Sequence, residues 1–539
     1  MSEKKLVLIL NTSQEYIRHV GPEGKKFAPL MNRFFESITD VYLPLVKMFE
    51  ALERDGVPFK VGLVMTPSLC TLLEDSSVQS EYLEWLDGRI ELGKSELVRC
   101  AADQKLLSAA KFCLEKHQEA KLAFENLGRR ILRKIHEFSK KGFIELIATC
   151  GTDIFLPHYH DMEEIKNAQI EAGLFSFKSF FGQAAEGFWL PELGYYPGLE
   201  RNLRNYNVNY TVLDARSFLF GKEMPVKGIF APVRIGNSVV AFGRNPNTDE
   251  ELFGFEGYAN NDVYLDKGRD VGYELSDEKV ENLFGESKSR YSLGYCYWNK
   301  GGRVSDADYV NVDSNEHVYE FEAAVAKCEE DALSFVNKRI QLMNDAGLEL
   351  SDTKTISLTE TININSLNDV WSEGIFWLEC VFRAAHKQSL EFANAKDLIL
   401  EQFKFQKIHP YYGSCSDDGY GEALISHKNN WMIRYVRKAS ERMVDLSERF
   451  CGDTGLKARL LNLGAKELLM AQSSGWARMI ENDSFPEYAK HRFIQAINDF
   501  TAVFDALGSN TVSTEWLTNL EESHKIFPWM NYRIFSRKS

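Results

Sequence analysis

The sequence predicts an α/β protein in which a parallel sheet closes as a barrel and an all-helical portion follows. Three observations carry this. Short apolar runs alternate with amphipathic helical stretches from the N-terminus to about residue 362, as successive strand–helix–strand units do. One stretch, 81–141, is helical and heavily charged throughout and offers no strand. Beyond residue 402 only long amphipathic helices remain.

Residues 6–10 form an all-apolar run of the kind buried on both faces of a parallel sheet, and 61–65 form the next. Between them, 34–55 has helical spacing and stops before Gly56-Val-Pro58, which completes a right-handed β-α-β unit. The 81–141 stretch is then a helical insertion between two barrel strands. Strands resume at 143–148, 187–190, 210–213, 239–242 and 355–362, alternating with helices such as 164–181 and 315–346. Segment 255–309, rich in Gly, Asn, Asp and Tyr, is expected to be a long ordered loop over the barrel mouth. Helices at 429–449, 456–471, 486–507 and 513–524 complete the chain. The domain reading is a barrel from 1–80 and 142–400, an insertion at 81–141 and a helical C-terminal domain at 401–539. No flexible linker separates the parts, so they are expected to pack together.

Composition narrows the function. The 539 residues contain 44% hydrophobic and 26% charged residues, a globular balance, and their length suggests two to four structural units. A net charge of −15, from 63 basic and 78 acidic side chains, argues against nucleic acid or an anionic membrane as partner and is compatible with a neutral polymer. Leu6–Leu10 is shorter than a signal-peptide core, and no later run is long enough to span a membrane. Nine cysteines, odd in number and without C-x-x-C spacing, read as reduced thiols of a cytoplasmic protein. No Walker or G-x-G-x-x-G motif occurs, which argues against a nucleotide cofactor.

The stretch with most chemical content is 187–200, where an apolar strand breaks at Pro191 and Gly194 and a single carboxylate, Glu192, stands between Trp189 and Tyr195. Strand ends are where barrel enzymes keep their chemistry, and aromatic faces beside one acid suit a sugar ring. The same residues also fit a Pro/Gly loop whose aromatics close the core. His158, His160 and Asp161 resemble part of a metal cluster but lack further ligands at readable spacing, so no metal is assigned. Cys150 has no identified histidine partner and reads as a buried thiol. Trp431, Trp476, Trp516 and Trp529 lie on C-terminal helices, where tryptophans usually serve the core.

Segment 187–214 resembles the nucleophile region of the family 57 glycoside hydrolases, specifically their 1,4-alpha-glucan branching enzymes. Further segments resemble that group in its order: Arg18-His19, 35–45, 142–149, Ala231-Pro-Val-Arg234, Ala241-Phe-Gly-Arg244, Arg269-Asp-Val-Gly-Tyr273 and Trp371-Ser-Glu-Gly374. The resemblance implies an incomplete seven-stranded barrel and a helical C-terminal domain across its mouth. It also implies cofactor-free retaining transfer of an alpha-1,4-glucan chain to a 6-hydroxyl, with glycogen or maltodextrin as substrate and Glu192 as nucleophile. Asn11, Ser13, Trp189, Tyr195, Arg216, Trp371 and Trp476 fall at implied substrate-binding positions.

The same resemblance exposes departures. The acid/base position, ten residues before Glu373, holds Asn363, and an amide cannot donate an acidic proton at neutral pH. Expected histidines read Asn11, Ser13, Asp153 and Arg216, and an expected aromatic reads Arg33. The motifs at 413–419 and 474–476 are blurred. Among substitute acids, Glu360 alternates to the opposite face of its strand from Asn363, Asp369 lies in the following loop, and Asp153 at a strand end is the best placed. Three readings follow: a relative with impaired catalysis that still binds alpha-glucan or another partner, an enzyme with a substituted acid/base, and a structural subunit that binds no sugar. Oligomeric state has no signature in the sequence.

Overall fold

In the computed structural model, residues 3–18, 28–276, 284, 290–301, 317–350, 354–401, 404–509 and 511–537 are described. His19, together with the parts of the predicted 255–309 loop and 315–346 helix at 277–283, 285–289 and 302–316, lies outside them.

Among the described residues the strands are β1 (Glu3–Asn11), β2 (Val61–Val64), β3 (Ile144–Thr149), β4 (Gly187–Trp189), β5 (Tyr210–Leu213), β6 (Val233–Arg234), β7 (Val240–Gly243), β8 (Thr355–Asn363) and β9 (Glu391–Phe392). They form one curled sheet in the order β6-β7-β5-β4-β3-β2-β1-β8, with β9 beside β1. The seven predicted strands are all parallel to their neighbours, and the two-residue β6 runs antiparallel to β7. β1 pairs with three strands, β2, β8 and β9. Leu6 to Leu10 are at most 2% exposed, and all nine residues of the strand pair in register with β8, from Glu3 with Thr355 to Asn11 with Asn363.

Strand alternation sorts the core into two layers. Val7, Ile9, Val64, Ile147, Val212 and Phe242 fill the barrel, whereas Leu6, Leu8, Leu10, Leu63, Leu146 and Leu358 pack outward against helices. Helix Glu163–Phe181 lies so close to β3 that a Cβ at Gly173 would come within 1.7 Å of the Thr149 carbonyl oxygen. The barrel is nearly open between β7 and β8. One parallel bridge, Arg244 with Thr359, and the Asn245 N–H donating to Thr359 O at 2.8 Å join the two edges there. Just outside that seam Glu360, 0% exposed, receives Arg339 Nε at 3.0 Å and Asn245 Nδ2 at 3.0 Å. Glu360 thus closes the seam and takes no part in the barrel interior.

Between β2 and β3 stand helices Pro67–Glu74, Ser76–Arg99, Gln104–Asn126 and Ile131–Lys140. The predicted helix 34–55 begins earlier, as Ala28–Ser37, passes through a π turn at Ile38–Tyr42 and continues as Leu43–Arg54. The described part of the 255–309 loop packs on the insertion, Tyr295 donating its hydroxyl to Arg89 O at 2.7 Å and Tyr297 to Glu96 at 2.8 Å, and after β8 Lys300 donates to Val370 O at 2.9 Å. Aromatic anchors with polar tips suit such an edge, because the ring is buried while the hydroxyl keeps a partner. The mouth is met by the C-terminal helices Trp431–Arg449, Gly455–Ala471, Ser474–Glu481, Pro486–Ser509 and Thr514–Ser523.

Candidate active-site cleft

β4 ends at Trp189, and Pro191 forces the chain into a tight turn that carries Glu192 at φ +57° and Leu193 at φ +51°. Left-handed backbone at two successive non-glycine residues costs on the order of 1–3 kcal/mol each and persists only where the surroundings over-determine it. Here they do. Leu193 N–H donates to Leu190 O at 2.8 Å, Tyr195 and Gly413 exchange backbone bonds at 2.9 and 3.1 Å, and Cys415 N–H donates to Glu192 O at 2.9 Å. The 413–415 segment is in turn fastened through Arg216, whose Nη1 donates to the carbonyls of Ser416 at 2.8 Å and Asp417 at 2.6 Å.

The Glu192 carboxylate is in contact with the Arg478 guanidinium, contributed by helix Ser474–Glu481, and accepts the Cys415 thiol at 3.6 Å. Burial pushes that thiol up to about 11, so it stays protonated and donates. Glu192 is therefore held in an ion pair formed across the barrel and the C-terminal helices.

At the end of β8, Asn363 lines the same cavity, and its side-chain oxygen accepts the Asn365 N–H at 3.0 Å. Asn11, its register partner on β1, lines the cavity too. Asp153, after β3, accepts Ser13 Oγ at 2.6 Å, and its backbone oxygen accepts the Ser474 N–H at 2.8 Å. Glu15, which the sequence did not single out, accepts Ser473 Oγ at 2.8 Å and lies against Gly475. Burial and the nearby Asp153 charge raise the Glu15 carboxyl above its ordinary value, against the Ser473 hydrogen bond and the Arg478 charge. Burial likewise raises Asp153, against Ser13 and Arg478. Burial and mutual repulsion thus push both carboxyls toward their protonated forms.

A stability prediction follows from that pair. A carboxyl with a raised folded-state pKa contributes stability below its ordinary value of 4.5 and loses it as pH rises through the folded value. Glu15→Gln removes the ionisation and keeps the hydrogen-bonding shape. Its unfolding free energy relative to wild type is expected to increase as pH rises above 4.5, by up to about 1.4 kcal/mol per pH unit, in urea titrations over a pH series. A difference independent of pH would show that Glu15 ionises as an ordinary carboxylate.

Two cavities meet in this cleft. One, about 320 Å³, is lined by Asn11, Ser13, Asp153, Trp189, Glu192, Asn363, Cys415 and Arg478 among others, and the second, about 420 Å³, continues past Arg478 toward Glu15 and Arg33. Of the residues the sequence singled out, Glu192, Asn363, Asp153, Asn11, Ser13 and Trp189 are thus gathered at one place. Tyr195, Trp371 and Trp476 are not. They are 1%, 0% and 3% exposed and line neither cavity. Trp371 packs on Tyr264 and Trp377 at 5.3 and 5.1 Å and so belongs to the core. Tyr195 donates to Glu200 at 2.9 Å, and Trp476 donates to Met470 O at 2.8 Å. Arg216 holds the 416–417 loop and does not face the cleft. Asp161 is taken by Arg437 at 2.5 Å, and no group of three metal-ligating side chains gathers among the described residues. Nor is any helix among them long and apolar enough to cross a membrane. Glu15 and Arg478 were missed because neither lies in a motif. Only the blurred segment around Ser474-Gly-Trp476 pointed to their neighbourhood.

An incomplete parallel barrel with a carboxylate on a strained strand-end turn, beside a tryptophan in a polar cleft, defines a protein of the barrel glycosidase class. The comparisons agree. The glycosyl hydrolase family 57 model matches residues 7–292, and the C-terminal domain model of 1,4-alpha-glucan branching enzyme matches 435–535. The chain belongs to glycosyl hydrolase family 57 and carries the branching-enzyme type of C-terminal domain. It is 24% identical over 529 residues to the 1,4-alpha-glucan branching enzyme of Thermococcus kodakarensis, covering 92% of this chain and 72% of that one. It is 21% identical over 514 residues to a probable 1,4-alpha-glucan branching enzyme of Mycobacterium tuberculosis, covering 90% and 89%. The crystal structure of the alpha-amylase AmyC from Thermotoga maritima superposes with a TM-score of 0.90 at 27% identity over the full length of both chains. That of the Thermococcus branching enzyme superposes at 0.85 and 21% identity, covering 99% of this chain and 97% of the other.

Proposed function

We propose that this chain is an alpha-glucan-binding relative of the family 57 branching enzymes whose glycosyl transfer is impaired. The observation that carries the reading is the pairing at the cleft floor. An amide, Asn363, stands at the strand end where the family resemblance places the proton donor, while Glu192 is neutralised by Arg478. Without an acid the leaving oxygen must depart as an alkoxide, and a carboxylate held by a guanidinium is a weaker nucleophile. The cleft keeps what binding needs, namely Trp189, the amides of Asn11 and Asn363, and Ser13. Named relatives that act on alpha-glucans supply the ligand class. Nine unpaired cysteines fit a reducing, cytoplasmic compartment, where glycogen is the polymer to bind.

Retardation in native gels containing glycogen, together with assay of amylose for new alpha-1,6 linkages and reducing ends, tests the proposal. Retardation without turnover is the expected result. Trp189→Ala should weaken binding by about tenfold, equivalent to roughly 1.4 kcal/mol. Turnover at a rate typical of enzymes would overturn the impairment, and absence of retardation would leave a structural role.

A second reading is favoured by one observation. Asp153 lines the same cavity as Glu192, and burial raises its pKa, which is what a substitute proton donor needs. In that case whatever glucan turnover the wild type shows disappears in Asp153→Asn while glycogen retardation persists.

A further inference from the structure

Three arginines and no lysine line the two cavities. Arg33, on helix Ala28–Ser37, is paired with Asp369 in the loop after β8, and Arg244 is paired with Asp214 at 2.8 Å and Asp249 at 2.6 Å. Arg478, on helix Ser474–Glu481, borders both cavities and is in contact with Glu192.

Two further carboxyls share its surroundings. Glu15, in the segment after β1, lines the larger cavity and lies against Gly475, one turn before Arg478 on the same helix. Asp153, after β3, lines the smaller cavity, and the Arg478 charge acts on both acids. Acids from three strand ends thus surround one guanidinium. Glu192 holds it, while Glu15 accepts Ser473 Oγ at 2.8 Å and Asp153 accepts Ser13 Oγ at 2.6 Å. The other titratable neighbours do not compete for it. The Cys415 thiol stays protonated and donates to Glu192, Glu481 on the same helix accepts Ser426 Oγ, and burial pushes Tyr488 on helix Pro486–Ser509 up to about 12.

The balance between these acids depends on pH. Burial and the Asp153 charge raise Glu15 to about 8, and burial raises Asp153. Below that value Glu192 is the charged partner within reach. Above it Glu15 ionises beside Asp153, and two like charges stand in a buried place where Arg478 is the cation that acts on both. Uncompensated buried charge is costly, so two carboxylates then compete with one for the guanidinium.

We infer that Glu15 and Asp153 form a second seat for Arg478 and are positioning residues that decide whether Glu192 is covered or bare. The exchange is a rotamer change between two cavities that Arg478 already borders. Since one pKa unit is a tenfold change in balance, each pH unit above the Glu15 value favours the second seat by up to about tenfold. The inference goes beyond the proposed function, with which it shares the Glu192–Arg478 contact, and it needs no saccharide.

Crystal structures of the full chain at about pH 6 and about pH 9.5, on either side of the Glu15 value, test it. Arg478 is expected on Glu192 at the lower pH and on Glu15 and Asp153 at the higher. In solution, the coupling between Arg478 and Glu192, from a cycle of Arg478→Met and Glu192→Gln in urea unfolding, should fall by at least about half over the same interval. In Glu15→Gln/Asp153→Asn, Arg478 should stay on Glu192 and the coupling should hold at both pH values. Glu15→Gln alone serves if the double variant does not fold, and it too should remove the change across the Glu15 value. Arg478 on Glu192 at both pH values in wild type, with constant coupling, overturns the inference. So does a movement that persists undiminished in the variants. Neither readout involves a glucan, so failure of glucan binding would leave this result standing, and its failure would leave glucan binding untouched.

Discussion

Asn363→Asp is expected to raise the rate of alpha-1,4-glucan cleavage or transfer by roughly 10²–10⁴-fold over the wild-type background, the range that a positioned general acid contributes. The substitution is nearly isosteric. Asn363 uses its side-chain oxygen to accept the Asn365 N–H, and a carboxylate accepts that bond equally well. The new group would sit on the inward face of β8, in register with Asn11, and line the cavity that holds Glu192. Asn363 is half-buried, and partial burial favours the protonated form of a carboxyl placed there. Reducing-end assay and detection of alpha-1,6 linkages on amylose provide the readout. Glu192→Gln in the Asn363→Asp background should return the rate to the wild-type level, because protonation of the leaving group without a nucleophile does not complete a double displacement. A variant that folds, binds glucan and stays silent would locate the remaining block at Arg478. Arg478→Ala added to Asn363→Asp should then release activity, since Glu192 would lose the guanidinium that holds it.

That experiment addresses the part of the site that was readable from residues alone. Glu192 is legible because Pro191 and Gly194 punctuate an apolar strand around a lone carboxylate, and backbone strain at φ +57° is how the fold presents it. The seven parallel strands were legible for a related reason. Buried parallel strands read as short continuous apolar runs, and Leu6 to Leu10 or Tyr210 to Leu213 have little else to be. β6 and β9 were not, since two residues carry no periodicity and pair only because β7 and β1 offer free edges. The aromatic residues misled more than the acids. Composition cannot separate a tryptophan that stacks a sugar from one that fills a core, and Trp371 and Trp476 proved to be core while Trp189 reaches the cleft. Glu15 and Arg478 stand more than four hundred residues apart, and their meeting is a property of tertiary packing that no local pattern encodes. The site is in this sense half barrel and half C-terminal helix. The barrel supplies Glu192, Asp153 and Asn363, and helix Ser474–Glu481 supplies Arg478.

The largest effect on stability is expected at the barrel seam. Glu360→Ala should cost about 3–5 kcal/mol, the usual consequence of removing one partner of a fully buried ion pair. Glu360 and Arg339 have side-chain exposures of 0% and 1%. Arg339, on helix Phe321–Glu349, donates Nε to Glu360 at 3.0 Å, pairs with Glu251 and lies over the Phe335 ring at 3.6 Å. Glu360 also receives Asn245 Nδ2 and the Thr248 hydroxyl, both from the chain just after β7. Those bonds reinforce the thin backbone connection between β7 and β8, so their loss leaves the buried guanidinium with Glu251 as its remaining carboxylate and unfastens the seam at once. Urea unfolding should show the shift as a lowered midpoint. Lys47→Ala provides the contrast. It breaks a 2.9 Å pair with Glu119 whose side chains are 75% and 68% exposed, and solvent screening leaves such a pair worth under about 1 kcal/mol. Equal effects of the two substitutions would mean that the seam is held by its surrounding apolar packing and that the buried pair adds only specificity of closure. A difference of several-fold in favour of Glu360 would establish the ion pair as the clasp that keeps an incomplete barrel from opening between β7 and β8.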